Sequence, residues 1–168
     1  MRVVNIHKRT INQPKEKVSE LFRTLATKED MIWPYENWPA IRFKNGLTIG
    51  SHGGHGLIRY KIVEFNEGEF IKFQFLKPVG FNGTHELNIT STNETKTEIA
   101  HKIIMTTSFR ASLLWALAIR WLHDALIEEA FDKVENYFLE HKKQTEYKTW
   151  VKFLRRAYKR DSFKNKHV

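Results

Sequence analysis

Three histidines of this chain stand where an imidazole can work inside an apolar interior. His85 alternates in phase with Leu87 and Ile89, and His101 in phase with Ile99, Ile103 and Met105, so both point to the apolar side of a strand. His123 falls on the apolar stripe of a helical run from Trp121 to Phe138, beside Leu126, Ile127, Ala130, Phe131, Val134, Tyr137 and Phe138 at about 100° per residue. A three-residue hairpin loop at 92–94 sets position 85 opposite position 101, which makes the two imidazoles cross-strand neighbours with Cβ atoms about 5 Å apart. Imidazoles that converge in this way can exchange protons near neutral pH. They can also orient a carbonyl, phenol or carboxylate at the polar end of an apolar pocket, or ligate zinc through three nitrogens with a fourth position open. The plain alternative is three interior histidines, each with a hydrogen bond of its own, and no metal is assigned to them.

A second conspicuous stretch is Ser51-His52-Gly53-Gly54-His55-Gly56. Its glycines let a loop bend tightly or approach a ligand. They do not lie between a strand and a helix as a dinucleotide fingerprint requires, and no Lys-Ser/Thr ending marks a phosphate loop. A flexible connection between strands is the expectation here, ahead of a ligand gate. Trp33, Trp38, Tyr60, Phe73, Phe75, Trp115 and Trp121 could line a cavity or simply fill a core. The expected ligand-binding set is His55, Tyr60, Phe73, Phe75, His85, His101, Met105, Trp121 and His123. No serine sits on a nucleophile elbow and no carboxylate pair is evident. No catalytic residue is therefore assigned; His85, His101 and His123 are the candidates if the chain is an enzyme.

The elements that must position these groups follow from period and punctuation. Residues 2–11 alternate and read as a strand, stopped by Asn12-Gln13-Pro14; Val18, Leu21, Phe22 and Leu25 then recur at helical spacing, so 14–26 reads as a short helix. From 31 to 56 there is no sustained period, and Trp33-Pro34, Trp38-Pro39 and several glycines predict loop mixed with short strand. Four strands follow at 57–66, 69–77, 83–91 and 95–107, with turns at 66–68 and 92–94 and no helical pattern between them, which predicts an antiparallel meander. The helix at 121–138 closes the body, its polar side carrying Asp124, Glu128, Asp132 and Glu135. The fold class is therefore α+β, a sheet covered by one long helix.

Composition narrows the function classes. The 168 residues suit one domain with a real core, and the absence of cysteine removes disulfides, thiol nucleophiles and cysteine-ligated zinc. The N-terminal residues alternate and soon become charged, without the apolar run of a secretory signal, so a chain starting at Met1 in the cytoplasm is expected. The net charge of +9 is concentrated in the tail: residues 142–168 hold 10 Lys and Arg against 2 Asp and Glu, whereas 1–141 hold 18 against 17. Helical projection of 143–168 places Tyr147, Trp150, Val151, Leu154, Ala157 and Tyr158 on one side and Lys148, Lys152, Arg155, Arg156 and Lys159 on the other. Such a basic amphipathic tail suits an anionic membrane surface or a groove on a protein partner, or a helix packed on its own domain. Without a recognition motif, nucleic acid is not an expected partner.

Three runs carry a resemblance. Gly54-His55-Gly56-Leu57-Ile58-Arg59-Tyr60-Lys61-Ile62-Val63-Glu64, then Gly80-Phe81-Asn82-Gly83-Thr84-His85-Glu86-Leu87, then Trp121-Leu122-His123-Asp124-Ala125-Leu126-Ile127-Glu128-Glu129 resemble members of the SRPBCC superfamily. That superfamily includes START-related lipid-transfer domains, Bet v 1-like proteins and polyketide cyclases. The resemblance spans residues 1–141 and leaves the tail at 142–168 uncovered. It implies a helix-grip fold, in which a curved antiparallel sheet wraps a long C-terminal helix around an internal cavity. His55, His85, His123 and Asp124 lie on the matching runs, with no catalytic roles to carry over. The implied function is binding, transport or sensing of a hydrophobic small molecule or lipid without a cofactor. The alternative is a cyclase- or dehydrase-like enzyme using the cavity histidines as general acid or base.

Overall fold

The structure, a computed structural model, describes residues 1–164, with side chains described through Ala157. The tail residues 165–168 and the side chains of Tyr158 and Lys159, assigned above to opposite faces of a helix, lie outside the described part. The chain runs β1 (Arg2–Ile11), α1 (Lys15–Phe22), β2 (Arg42–Phe43), β3 (His52–His55), β4 (Ile58–Asn66), β5 (Phe70–Lys77), β6 (Phe81–Asn93) and β7 (Lys96–Thr107). The helices α2 (Phe109–Leu114), α3 (Arg120–Tyr137) and α4 (Thr149–Lys164) complete it, with a π-helical segment, Trp115–Ile119, joining α2 to α3. The seven strands form one curved antiparallel sheet in the order β1-β7-β6-β5-β4-β3-β2. The helix from Phe109 to Tyr137 lies in its concave face, which is the α+β helix-grip architecture.

Alternation along each strand decides what faces the helix. Val3 and Ile11 of β1, Phe73 of β5, Leu87 and Ile89 of β6 and Ile99, Ile103 and Met105 of β7 are buried on the inner face. From the helix side, Leu126, Ile127, Ala130, Phe131 and Val134 meet them. Tyr137, placed by period on the same stripe, is exposed at the helix end. The polar side of α3 is only partly open to water. Arg9 of β1 reaches Glu128, Asp132 and Glu135 at 2.8–3.0 Å, and Asn5 and His7 of the same strand reach Asp124 and Glu128. Asn5, His7 and Arg9 share the inner phase of Val3 and Ile11, so β1 clamps the helix with a polar seam where the other strands use apolar side chains.

Four expectations change. The β6–β7 turn is formed by Glu94 and Thr95, with an extra residue at Thr92, not by a loop at 92–94. The moved turn and the bulge together shift the register by two residues, so His85 pairs with Ile103 and His101 with Leu87. His85 and His101 are consequently diagonal neighbours. The stretch 51–56 is not a bare connection, because His52–His55 is strand β3, hydrogen-bonded between β2 and β4. Its glycines allow close backbone approach: a Cβ at Gly54, where φ is +149°, would lie 2.0 Å from the Ile58 carbonyl oxygen.

The remaining two changes concern helix ends. The first helix stops at Phe22, four residues early, where the chain turns through Ala26 at φ 63°. That turn is held by the buried Asp30 carboxylate, which accepts from the backbone N–H groups of Ala26, Ile32 and Trp33 at 2.7–2.8 Å. The long helix begins at Phe109, not at Trp121, behind a Ser108 cap that accepts from the Ala111 N–H. The tail helix starts at Thr149, and the segment before it is tied down by Asn136 to Lys143 and by the Thr145 N–H to Asp132. Val151 is buried and Leu154 turns inward, whereas Trp150, expected on the same face, is exposed. Among the described residues no helix is long and apolar enough to cross a membrane.

Candidate functional site

A cavity of about 690 Å³ lies between the sheet and the long helix. Most of its wall is apolar: Trp33, Ile41, Phe73, Phe75, Leu87 and Ile103 from one side, Trp115, Leu126, Ile127 and Phe131 from the other. Its exposed and half-buried lining residues, which mark the mouth, include Tyr35, Glu36 and Asn37 before β2, Leu57 between β3 and β4, Pro78 between β5 and β6, Leu114 and Ala118 at the helix start, and Leu154, Arg155 and Ala157 of α4. Arg155 is fixed across Trp38 and Tyr147, with its guanidinium 4.4 and 4.3 Å from their ring centroids, and donates to the Asn37 carbonyl. The tail helix thus covers part of the opening.

Of the residues expected to bind, His55, Phe73, Phe75, His85, His101 and His123 stand on the cavity wall. Tyr60 lies one layer behind, fully buried against Phe73, His85 and His55 with ring centroids 4.8, 4.7 and 6.0 Å away. Met105 belongs to a separate core cluster with Val3, Phe81, Ile103, Ala111 and Trp115. Trp121 is outside, donating its indole N–H to the Ala116 carbonyl and lying under Arg120 and Lys148. Ordinary helical period turns it away: within α3, at about 100° per residue, Trp121 lies half a turn from Ala130 and well off the stripe of Leu126, Ile127 and Phe131. Trp33, Trp38 and Trp115 line the cavity as the aromatic pattern allowed.

The histidines form a connected polar track through this apolar wall. His85 stacks on Phe73 and Phe75 with centroids 4.7 Å away, and its Nδ1 lies 3.3 Å from His101 Nε2. One of these two neutral rings donates and the other accepts. Their outer nitrogens, His85 Nε2 and His101 Nδ1, have no partner, and the tautomer rule leaves one a donor and the other an acceptor. His101 faces His123 with ring centroids 4.9 Å apart. His123 Nδ1 donates to Asp124 Oδ1 at 3.3 Å, which fixes its tautomer and leaves the buried Nε2 as an unpartnered lone pair.

Beyond Asp124 the track becomes ionic. Asp124 Oδ1 also accepts from Asn5 Nδ2 at 3.0 Å and His7 Nε2 at 3.1 Å, and the other ring nitrogen of His7 donates to Glu128 at 2.7 Å. A ring that gives both N–H groups to carboxylates is an imidazolium: burial opposes its charge, but the hydrogen bonds and charges of Asp124 and Glu128 outweigh it and raise its pKa. Asp124 is affected the other way. Burial would raise its pKa, yet the donors His123, His7 and Asn5 bring it well below the ordinary carboxylate range. Burial pushes His85 and His101 well below the usual imidazole range, lowers His123 against the pull of Asp124, and brings His55 down to about 3. The inner four are held towards the neutral form, and the two carboxylates hold His7 towards the charged form.

Asn5, His7 and Asp124 were absent from the expected set. The signal lay in β1, where polar residues share the phase of Val3 and Ile11, and in the matching i, i+4 carboxylates of the helix. His7, His123 and Asp124 also bring one ligand atom each within 4.8 Å of one another. Such a set could hold a divalent ion, but only by taking a nitrogen of His7 out of its hydrogen bond with Asp124 or Glu128. As it stands, every nitrogen of His7 is satisfied as an ion pair.

No protein-family model matches the sequence, and no curated protein matches it. Solved structures do share its shape. A Thermobifida fusca protein determined by solution NMR superposes with a TM-score of 0.63 at 13% identity, covering 85% of this chain and 99% of its own. Norcoclaurine synthase from Thalictrum flavum superposes at 0.62 with 12% identity, covering 84% of this chain and 88% of its own. Another crystal structure of that synthase, in complex with dopamine and hydroxybenzaldehyde, gives 0.60 at 12% identity over 86% of this chain and 90% of its own. At such identities the agreement is one of fold, and it matches the topology described above: the chain has the Bet v 1-like helix-grip fold.

Proposed function

We propose that this protein is a cytoplasmic binder of a hydrophobic small molecule that carries one hydrogen-bonding head. The observation that supports this most is the pairing of a largely apolar cavity of about 690 Å³ with histidines on its wall whose buried ring nitrogens lack partners. That volume lies within the range of pockets that enclose a small ligand. Buried polar atoms without partners cost roughly 1–3 kcal/mol each, a cost that a ligand hydroxyl or carbonyl would remove. Because one outer nitrogen of the His85–His101 pair donates while the other accepts, the pair suits a group that does both, such as a phenol or alcohol. The synthase recorded with dopamine and hydroxybenzaldehyde makes phenols a sensible first panel. The test is native mass spectrometry of gently purified protein, followed by titration with phenols and fatty alcohols. Saturable one-to-one binding supports the reading, and failure of every member of a broad panel to bind removes it.

One observation favours a second reading, an enzyme of cyclase or dehydrase type. His123 is held by Asp124 in the tautomer whose free Nε2 lone pair is buried in the cavity wall, an arrangement suited to removing a proton from a bound ligand. A product assay on any ligand found to bind, with His123→Gln beside the unaltered chain, separates the readings. Turnover lost in the variant while binding persists makes His123 a base; binding without turnover in either leaves a carrier.

A further inference from the structure

We infer that the rim of the cavity mouth is a docking face for an anionic lipid bilayer. Six large apolar side chains stand out into solvent there: Leu57, Val79, Phe109, Leu113, Leu117 and Phe153. Val79 is 89%, Phe109 80% and Leu57 75% exposed, far beyond the partial exposure of an ordinary surface leucine. They come from four separate places in the sequence, yet the fold gathers them. Leu57 lines the mouth directly, and Val79 follows the mouth residue Pro78. The turn that carries Val79 is joined to the helix start by the Ser108 N–H donating to the Gly80 carbonyl at 3.0 Å. Phe109, Leu113 and Leu117 recur every four residues and so form one stripe. Trp150 of α4 donates its indole N–H to the Leu117 carbonyl at 3.0 Å and stacks on Phe153.

Charge says what covers this apolar rim. The segments 57–59, 77–82, 108–122 and 147–156, which carry the apolar tips, contain no Asp or Glu; among the described residues the one acidic member of the cavity lining, Glu36, is paired with Lys133. They contain Arg59, Lys77, Arg110, Lys148, Lys152 and Arg156, all exposed. Apolar tips surrounded by cations fit a surface that offers acyl chains beneath anionic head groups. A second copy of this chain fits poorly, because the same contact would bring two cationic tails together. Docking of this kind does not depend on what the cavity holds.

The experiment uses the full chain with two vesicle types, phosphatidylcholine alone and phosphatidylcholine mixed with phosphatidylserine, read by co-sedimentation. Binding to the mixed vesicles, weakened by salt, is expected, with little binding to phosphatidylcholine alone. Phe109→Glu with Leu117→Glu should reduce it by at least about tenfold, since it places two charges where side chains would insert. Both residues are exposed, so circular dichroism and melting should be unaffected. Val4→Glu, on the exposed outer face of the sheet, should bind like the unaltered chain. No binding to the mixed vesicles, or equal binding by the Phe109/Leu117 variant, overturns the proposal. So does a concentration-dependent dimer that the same variant breaks, because the face would then be a protein interface.

Discussion

His7 Nε2 donates to Asp124 Oδ1 at 3.1 Å, and this contact joins the first strand of the chain to its long helix across 117 positions of sequence. It also divides the histidines by charge. On its outer side His7 is an imidazolium between two carboxylates; on its inner side His123, His101, His85 and His55 are neutral in an apolar wall. The carboxylate of Asp124 holds the boundary, accepting from a ring on each side.

Stability should therefore fall as the pH drops below about 6.5, the unperturbed imidazole value. The inner four have depressed pKa values when folded, so acid protonates them first in the unfolded chain and favours unfolding. The effect continues down towards about 3 for His55. Each such histidine adds a slope of about 1.4 kcal/mol per pH unit within its window. His7 acts in the opposite sense: its pKa is raised, so its contribution is complete below about 6.5 and is lost as pH rises through the higher folded value. It cannot offset the acid loss. Asp124, depressed below its ordinary value, contributes throughout this window and weakens only in stronger acid. Urea unfolding at a series of pH values between about 7 and 5 measures the slope, and a flat profile would contradict neutral inner histidines.

Replacing His7 by Gln removes the cation between Asp124 and Glu128 while keeping a polar side chain of similar reach. Both carboxylates are about one-third exposed, with side-chain accessibilities of 30 and 34%, so the cost is that of a partly screened pair. A loss of about 1–2 kcal/mol at neutral pH is expected, below the range for fully buried pairs. The difference from the unaltered chain should shrink in alkali, where His7 loses its own charge. Melting temperatures of both proteins across that range check it, and a gap that does not narrow would mean that His7 acts through packing alone.

Gly54 should tolerate no side chain. Its φ of +149° and the 2.0 Å approach of a Cβ to the Ile58 carbonyl oxygen leave Gly54→Ala no unstrained conformation. A loss of about 2–4 kcal/mol is expected, from backbone strain and from displacement of β3 against β4. His55, which stands on the cavity wall next in the strand, should move with it. Denaturant unfolding gives the cost, and a loss below about 1 kcal/mol would show that the strand accommodates the methyl group.

What could be read in the sequence follows from how local each signal is. Strands 2–11, 57–66, 69–77 and 95–107 were legible within a residue because alternation is a property of neighbours. The inward phase of His85, His101 and His123 was legible for the same reason. Their register was not: the turn falls at Glu94-Thr95 and one extra residue sits at Thr92, which together set His85 opposite Ile103 and not opposite His101, and nothing in Thr92-Asn93-Glu94-Thr95 distinguishes the two turns. Trp121 was misplaced although its phase was legible: within α3 it lies half a turn from Ala130, on the side away from the stripe. His7 was overlooked because its partners, Asp124 and Glu128, lie on what looked like the solvent side of the helix, and only the closing of β1 against β7 brings them together.

The two buried histidines at the heart of the wall give the sharpest test of a working site. His85→Phe together with His101→Phe replaces both members of a hydrogen-bonded pair by apolar rings of similar shape and removes two unpartnered nitrogens. Removing both partners at once is close to neutral or stabilising, so the doubly altered chain should be as stable as the original or more stable by up to about 2 kcal/mol. A ligand with a phenolic or alcoholic head should meanwhile lose affinity by about tenfold or more, while a purely apolar ligand of the same size should not. Denaturant unfolding and parallel titration with a phenol and its hydrocarbon analogue give the two quantities. Stability gained together with selectivity lost would mean that the imidazoles are kept for the ligand at a cost to the fold. Stability lost with selectivity unchanged would make them ordinary core residues, satisfied by each other.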